Sequence, residues 1–307
     1  MDLYLPIANL SVNAIVIVAL GLGVGVLSGL FGVGGGFLTT PLLIFYGIPP
    51  TVAAASAASQ VTGASVSGVF AHFRRGGVDV AMGAVLVAGG LIGSMLGAIV
   101  FRLLQATGQI DTVINLLYVL LLGSIGSLML RDAIRTLRAS RREGGTPATK
   151  RRHHPLVAAL PLRWRFYASG LYISPLAPML LGIATGMLTV LLGVGGGFIM
   201  VPALIYLLKV PTNVVIGTSL FQIIFTSAYT TLVHATTNQT VDVILAFLLM
   251  AGGVAGAQYG AKAGQRLRGE QLRALLALLV LAVAIRLAID LFVTPPNLYS
   301  LTAAGLN

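Results

Sequence analysis

The feature that most constrains the fold of this chain is a series of ten apolar segments in two matching sets of five. They lie at 10–31, 37–46, 52–72, 78–101 and 111–131, and again at 171–192, 198–208, 212–234, 242–262 and 272–293. With 57% hydrophobic and only 9% charged residues, the 307-residue chain has more apolar surface than one soluble core can enclose. The segments therefore predict an all-α polytopic membrane protein.

The two sets are copies of one another. The run GVGGGF that begins at Gly32 returns at Gly193, 161 positions later. Further along, Gln60 pairs with Gln222 and His72 pairs with His234. An internal repeat of about 120 residues has the size of a transporter half-fold.

Basic residues predict that the two repeats have opposite orientations. RRGG follows His72, whereas the matching loop after His234 reads ATTNQT and has no charge. Since basic loops stay in the cytoplasm, these two loops are expected on opposite faces. All of the 19 basic residues except Arg102 and Arg286 then fall inside, and both termini fall outside. This topology is that of a multi-pass membrane protein.

The predicted organisation has four parts. These are a first membrane repeat (1–131), a basic cytoplasmic linker (132–170), a second and inverted membrane repeat (171–293) and an external tail (294–307). The second segment of each repeat has only about ten residues, which reach about half of a ~30 Å hydrocarbon core. We expect it to form a short broken or re-entrant hairpin arm with the third segment, either as two tilted crossings or as one partial dip.

The glycine runs are the first candidate binding residues. Glycines break the chain before each short arm and expose backbone N–H groups at a helix N-terminus, and such groups attract anions. The candidates are Gly34, Gly35, Gly36, Gly195, Gly196 and Gly197. The alternative is that glycines only permit close packing, and this is the better interpretation of the four-residue spacing of Gly89, Gly93 and Gly97. Neither run has the spacing of a dinucleotide fingerprint or a P-loop.

Neutral polar residues follow one face of each third segment. The candidates for substrate binding are Ser56, Ser59, Gln60, Thr218, Ser219 and Gln222. Hydroxyl groups in membrane helices often bond back to their own carbonyls, so each Ser or Thr taken singly favours that structural role. The glutamines need partners in lipid, and we expect both to donate to one ligand near a pseudo-two-fold axis.

The candidate ligand is an anion, because donors dominate the site and no acidic residue lies in the middle of a segment. Asp79, Asp111 and Asp242 stand at segment starts, where they are expected to cap helices. His72 and His234 are expected at opposite membrane faces, as a gate, a proton relay or interface anchors. The sequence shows no metal-ligand spacing, no ATP-binding motif and therefore no cofactor.

The duplicated GVGGGF…P motif, the hydroxyl-rich helix after it and HFRRGGVD resemble the TauE/SafE family of bacterial sulfite and organosulfonate exporters. The resemblance covers residues 15 to 290. It implies a secondary transporter of the bacterial plasma (inner) membrane that exports a small sulfur-containing anion, such as sulfite or sulfoacetate. The partners are then this anion and the lipid bilayer.

Other classes of function fit the sequence less well. An enzyme would need a nucleophile with a base or a metal cluster, and neither pattern is present. Nucleic-acid binding is disfavoured because the net charge of +11 lies in short loops between apolar segments. A passive anion channel of the same architecture is the main alternative. The sequence leaves open ion coupling, the direction of transport and the formation of a homo-oligomer.

Overall fold

The computed structural model describes residues 2–31, 33–74, 76–140, 163–263 and 269–292. This part of the chain contains ten α-helices and two short β-hairpins. The strands are β1 (Asp2–Leu5), β2 (Leu10–Asn13), β3 (Trp164–Phe166) and β4 (Leu171–Ile173). The helices are α1 (Ala14–Phe31), α2 (Gly36–Phe45), α3 (Pro50–Phe73), α4 (Val80–Ala106), α5 (Ile110–Ser140), α6 (Leu176–Leu192), α7 (Gly197–Tyr206), α8 (Thr212–Val233), α9 (Val243–Ala263) and α10 (Gly269–Phe292).

Each of the ten apolar segments predicted from the sequence is a helix, which agrees with the all-α polytopic fold. Among the described residues, five stretches are long and apolar enough to cross a membrane. They are Ala14–Phe31, Val80–Ala106, Ile110–Asp132, Val214–Asn238 and Val243–Ala263. Most of the predicted linker and the predicted tail lie outside the described residues, and α5 continues to Ser140, past the predicted end of the first repeat.

The hairpins correct the predicted starts of two helices. The sequence predicts that the first and sixth helices include residues 10–13 and 171–173. In the structure these residues form antiparallel strands paired with β1 and β3. A short apolar run does not by itself distinguish a strand from a helix. The helices begin just after the strands, where Asn13 Oδ1 accepts from Ile15 N–H and Ser174 Oγ accepts from Leu176 N–H.

The two repeats are joined through two pairs of glycine-lined helices. α1 packs along α9, and a Cβ placed on Gly25 would lie 2.3 Å from the carbonyl oxygen of Gly253. α4 packs along α6, and a Cβ on Gly93 would lie 2.0 Å from the carbonyl oxygen of Ile183. Such approaches exclude any residue with a side chain. The predicted packing role of the Gly93 series is therefore confirmed.

The first two helices of each repeat are joined by the glycine run, and we call this pair of helices a V. Asn13 N–H, at the start of α1, donates to the hydroxyl of Tyr46 at the end of α2 over 3.3 Å. The corresponding ends of α6 and α7 share a buried apolar cluster that includes Ala177 and Leu204. The short helix thus returns beside the first helix of its repeat, and the glycine run forms the tip of the V. The predicted pairing of the short arm with the third segment agrees with the structure, because α2 packs more extensively on α3 than on α1, and α7 packs more extensively on α8 than on α6.

A buried aspartate fixes each hairpin to the other repeat. Asp79, at the start of α4, accepts from the N–H and Oγ of Ser169 in the turn between β3 and β4. Asp242, just before α9, accepts from Ile7 N–H in the turn between β1 and β2 over 3.1 Å. Both carboxylates also accept from N–H groups in the first turn of the following helix, so their predicted capping role is confirmed.

We expect Asp79→Ala and Asp242→Ala each to lower the free energy of unfolding by about 2–3 kcal/mol, because each leaves buried N–H groups without an acceptor. Asp111→Ala is the matched control, since its carboxylate accepts one bond from Thr51 N–H at an exposed site. Thermal denaturation of the purified variants measures the effect. Equal midpoints for all three variants would show that the hairpin contacts contribute nothing.

Candidate functional site

The two glycine runs meet in the buried interior of the protein. A Cβ on Gly36 would lie 2.3 Å from the carbonyl oxygen of Gly193, and a Cβ on Gly197 would lie 2.3 Å from that of Val33. Next to this crossing, the rings of Phe37 and Phe198 stack with their centroids 4.7 Å apart. The tips of the two Vs therefore touch backbone to backbone.

The two glycines directly before each short helix have left-handed backbone conformations. Their φ angles are 85° at Gly34, 78° at Gly35, 75° at Gly195 and 77° at Gly196. Residues with a Cβ rarely adopt this region, so the turn itself requires glycine. Gly35 and Gly196 directly precede α2 and α7, and the first N–H groups of those helices have no acceptor within the helix. The tips thus bring two helix N-termini together.

The carbonyl end of α6 is occupied by donors from other elements. Leu192 O accepts from Thr40 Oγ1 over 3.2 Å and from the hydroxyl of Tyr118. Val190 O is 2.9 Å from Nε2 of His234, which must carry a hydrogen to make this bond. These contacts neutralise the negative end of a helix dipole beside the crossing. The N–H ends of α2 and α7 lie at the crossing beside the carbonyl oxygens of Val33 and Gly193.

The structure does not bring the two glutamines to one point. Gln60 Oε1 accepts from Thr39 Oγ1 over 2.6 Å, and its side chain packs against Gly253 of α9. Gln222 packs instead against Gly90 of α4, where its Nε2 donates to Thr226 Oγ1 over 3.3 Å. The residues that follow the glutamines, Val61 and Ile223, face the crossing. Successive helical residues are rotated by about 100°, so each carboxamide points to another side of its helix.

Gln222 is the more exceptional of the two glutamines. It is fully buried, and its Oε1 has no hydrogen-bond partner within the described structure. Thr226 Oγ1 donates its hydrogen to Gln222 O. If the carboxamide rotates by 180° and this hydrogen turns to Oε1, the N–H groups of Gln222 become free for a ligand. Gln60 has no such freedom, because both of its polar atoms are bonded within the protein.

Two of the predicted hydroxyls make structural bonds in α8. Thr218 Oγ1 accepts from Asp79 N–H over 2.9 Å, at the start of α4. Ser219 Oγ donates to Ile216 O within its own helix. In α3, Ser59 Oγ lies 3.5 Å from Thr231 Oγ1, and Ser56 Oγ is buried without a partner among the described residues.

A pair of equivalent serines was not predicted as a site, and one of them, Ser227, lies beside the crossing. Ser227 Oγ is buried and lies 3.3 Å from the position that a Cβ on Gly195 would occupy. Ser65 is its counterpart in the first repeat and is equally buried. Neither hydroxyl has a partner in the part of the chain that the structure describes. The offset that pairs Gln60 with Gln222 also pairs these serines, so the repeat alignment contained the signal.

The two histidines differ in their surroundings. His72 is half-buried in the last turn of α3. His234 is fully buried in a single π-helical turn after α8, and its Nδ1 faces Asn238 Nδ2 at 3.0 Å. Since Nε2 donates to Val190 O, His234 holds the end of α8 against α6. Within the described ranges, no group of three His, Asp or Glu side chains could hold a metal ion.

Comparison with known proteins places this architecture in a family. The family model for the sulfite exporter TauE/SafE matches residues 17–287. A "Probable membrane transporter protein" of Xylella fastidiosa (strain Temecula1 / ATCC 700964) is 30% identical over 88% of this chain and 93% of its own length. The "Probable membrane transporter protein YunE" of Bacillus subtilis (strain 168) is 26% identical over 89% of this chain and 96% of its own. No solved structure matches significantly. The chain therefore belongs to the sulfite exporter TauE/SafE family of membrane transporters.

Proposed function

We propose that the protein is a secondary transporter of the bacterial plasma membrane that exports a small sulfur-containing anion, such as sulfite, sulfoacetate or a related organosulfonate. The anion is held where the two V tips cross. The observation that carries this proposal is the meeting of two glycine-flanked helix N-termini in the buried interior. Oriented N–H groups and the positive ends of two helix dipoles favour negative charge at that point.

The chemistry around the tips supports an anion over a cation. The carbonyl oxygens of Val190 and Leu192, which would attract a cation, already accept from side chains. The two buried carboxylates, Asp79 and Asp242, stand at helix starts and bond to the hairpins. Neither carboxylate is therefore available to the crossing.

Helix directions support two repeats with inverted topology. α3 and its counterpart α8 contact each other in antiparallel order, since Ser59 lies near Thr231 and a Cβ on Gly68 would lie 3.0 Å from Leu220. One V then enters from each membrane face, and the distribution of basic residues favours both termini outside. Rocking one repeat against the other would open the crossing alternately to the two sides.

Close packing at the crossing favours a carrier over the channel alternative. A Cβ on Gly195 would lie 2.4 Å from Val61 Cγ1, and a Cβ on Gly197 would lie 2.6 Å from Ile223 Cδ1. Val61 and Ile223 are both fully buried. Apolar side chains thus fill the space between the tips, and an anion can pass only when the repeats separate.

Flux through proteoliposomes tests the proposal. We expect uptake of labelled sulfite to saturate with concentration, and internal unlabelled sulfite to accelerate it by exchange. Inside-negative potential should drive net efflux, by about 2.3 kcal/mol per charge per 100 mV. Empty liposomes are the control. Flux that rises without saturation and shows no exchange would support a channel, and no flux of any sulfur-containing anion would overturn the proposed function.

A further inference from the structure

Two buried serines occupy equivalent positions in the two repeats, and one of them, Ser227, borders the crossing of the V tips. Ser65 and Ser227 each follow, by one helical turn, the apolar residue that contacts the glycine tips, Val61 in α3 and Ile223 in α8. Residues four positions apart share a helix face, so both serines face the crossing. Ser227 Oγ lies 3.3 Å from the position that a Cβ on Gly195 would occupy, which agrees with this direction.

A buried hydroxyl without a partner is unfavourable, and a pair of them at one place calls for a common explanation. Many other buried hydroxyls of this protein bond back to carbonyls of their own helix, as Thr185 and Thr189 do. Ser65 and Ser227 make no such bond. Both hydroxyls are therefore free to donate to an oxyanion that enters between the tips when the repeats separate.

The positive charge available at the crossing is small. Each helix N-terminus contributes about half an elementary charge, so the two together balance about one negative charge. Every Lys and Arg whose side-chain burial is described is exposed or half-buried. A second negative charge on the ligand would therefore lose its hydration without a full counter-charge, which is costly in a buried site.

Building on the proposed function, we propose that Ser65 and Ser227 are the side-chain ligands of the anion and that the site selects anions with one negative charge. Among sulfur oxyanions, the site then takes the singly protonated form of sulfite and monosulfonates. Sulfate, fully deprotonated sulfite and sulfoacetate with both groups ionised are disfavoured. The apolar side chains of Val61 and Ile223 suit the carbon substituent of a sulfonate.

Isothermal titration of the purified protein at fixed pH and ionic strength tests both parts of this proposal. Methanesulfonate and sulfate have similar size and differ by one charge, and dimethyl sulfone is the uncharged analogue. We expect methanesulfonate to bind at least tenfold more tightly than either. Ser65→Ala and Ser227→Ala should each weaken methanesulfonate binding about tenfold or more, because hydrogen bonds to charged groups are strong.

Ser124→Ala is the matched control, because the Ser124 hydroxyl bonds to Leu121 O at an exposed site in α5. Sulfate binding as tight as that of methanesulfonate would overturn the charge selection and leave the proposed transport intact. Parent affinity in both folded serine variants would overturn the role of the serines. If no anion binds to the parent protein, the proposed function and this inference fail together.

Discussion

Gly36→Ala and Gly197→Ala are expected to prevent the two V tips from meeting and thereby abolish transport. Each substitution places a methyl group 2.3 Å from a carbonyl oxygen of the opposite tip, a distance that real Cβ atoms essentially never show. The obstacle is backbone, which cannot rotate away as a flexible side chain does. We expect the free energy of unfolding to fall by about 3 kcal/mol or more. Thermal denaturation and sulfite flux measure the two consequences.

Gly123→Ala provides the matched control for these two variants. Gly123 also lies within a helix, α5, and a Cβ there would meet no atom within 4 Å. Alanine has the higher helix propensity, so stability and flux should equal or slightly exceed those of the parent. If Gly36→Ala and Gly197→Ala behave like this control, the tips do not touch in the functional protein.

Much of this fold is predictable from the sequence, because membrane helices carry a strong local signal. The short segment before Tyr46 and the packing glycines such as Gly93 were recognised from apolar length and four-residue spacing. The hairpins were not predicted because 10–13 and 171–173 run directly into apolar helices, and so short a run does not by itself distinguish a strand from a helix. Their stability comes from Asp79 and Asp242, which are distant in sequence and therefore leave no local pattern.

The candidate site was predictable only in part. The meeting of the tips follows from pairing GVGGG with its copy, and the structure places Gly36 against Gly193. The sequence predicts that the two glutamines share one ligand, but Gln60 and Gln222 pack against different helices. Residue spacing shows which residues share a helix face, but it does not show which neighbouring helix that face contacts. For the same reason Ser65 was not recognised, since it faces the crossing only once the direction of Val61 is known.

The two glutamines are expected to respond in opposite ways to substitution by methionine, which has similar size. Gln222→Met removes a buried oxygen that has no partner, so the free energy of unfolding should rise by about 1 kcal/mol. Gln60→Met removes the acceptor of the Thr39 hydroxyl and the donor to Gly21 O, so the free energy of unfolding should fall by about 1–2 kcal/mol. Thermal denaturation of both purified variants measures this difference.

We expect the methanesulfonate affinities of the two variants to rank in the opposite order to their stabilities. If the Gln222 carboxamide donates to the anion, Gln222→Met loses about tenfold in methanesulfonate affinity, equivalent to about 1.4 kcal/mol, although the protein is more stable. Such a gain in stability with a loss of binding is typical of a residue kept for function. Gln60→Met should bind within a few-fold of the parent, since both polar atoms of Gln60 are already bonded within the protein. Parent affinity in Gln222→Met would remove this residue from the site, and a larger loss in Gln60→Met would place the anion on the α9 side instead.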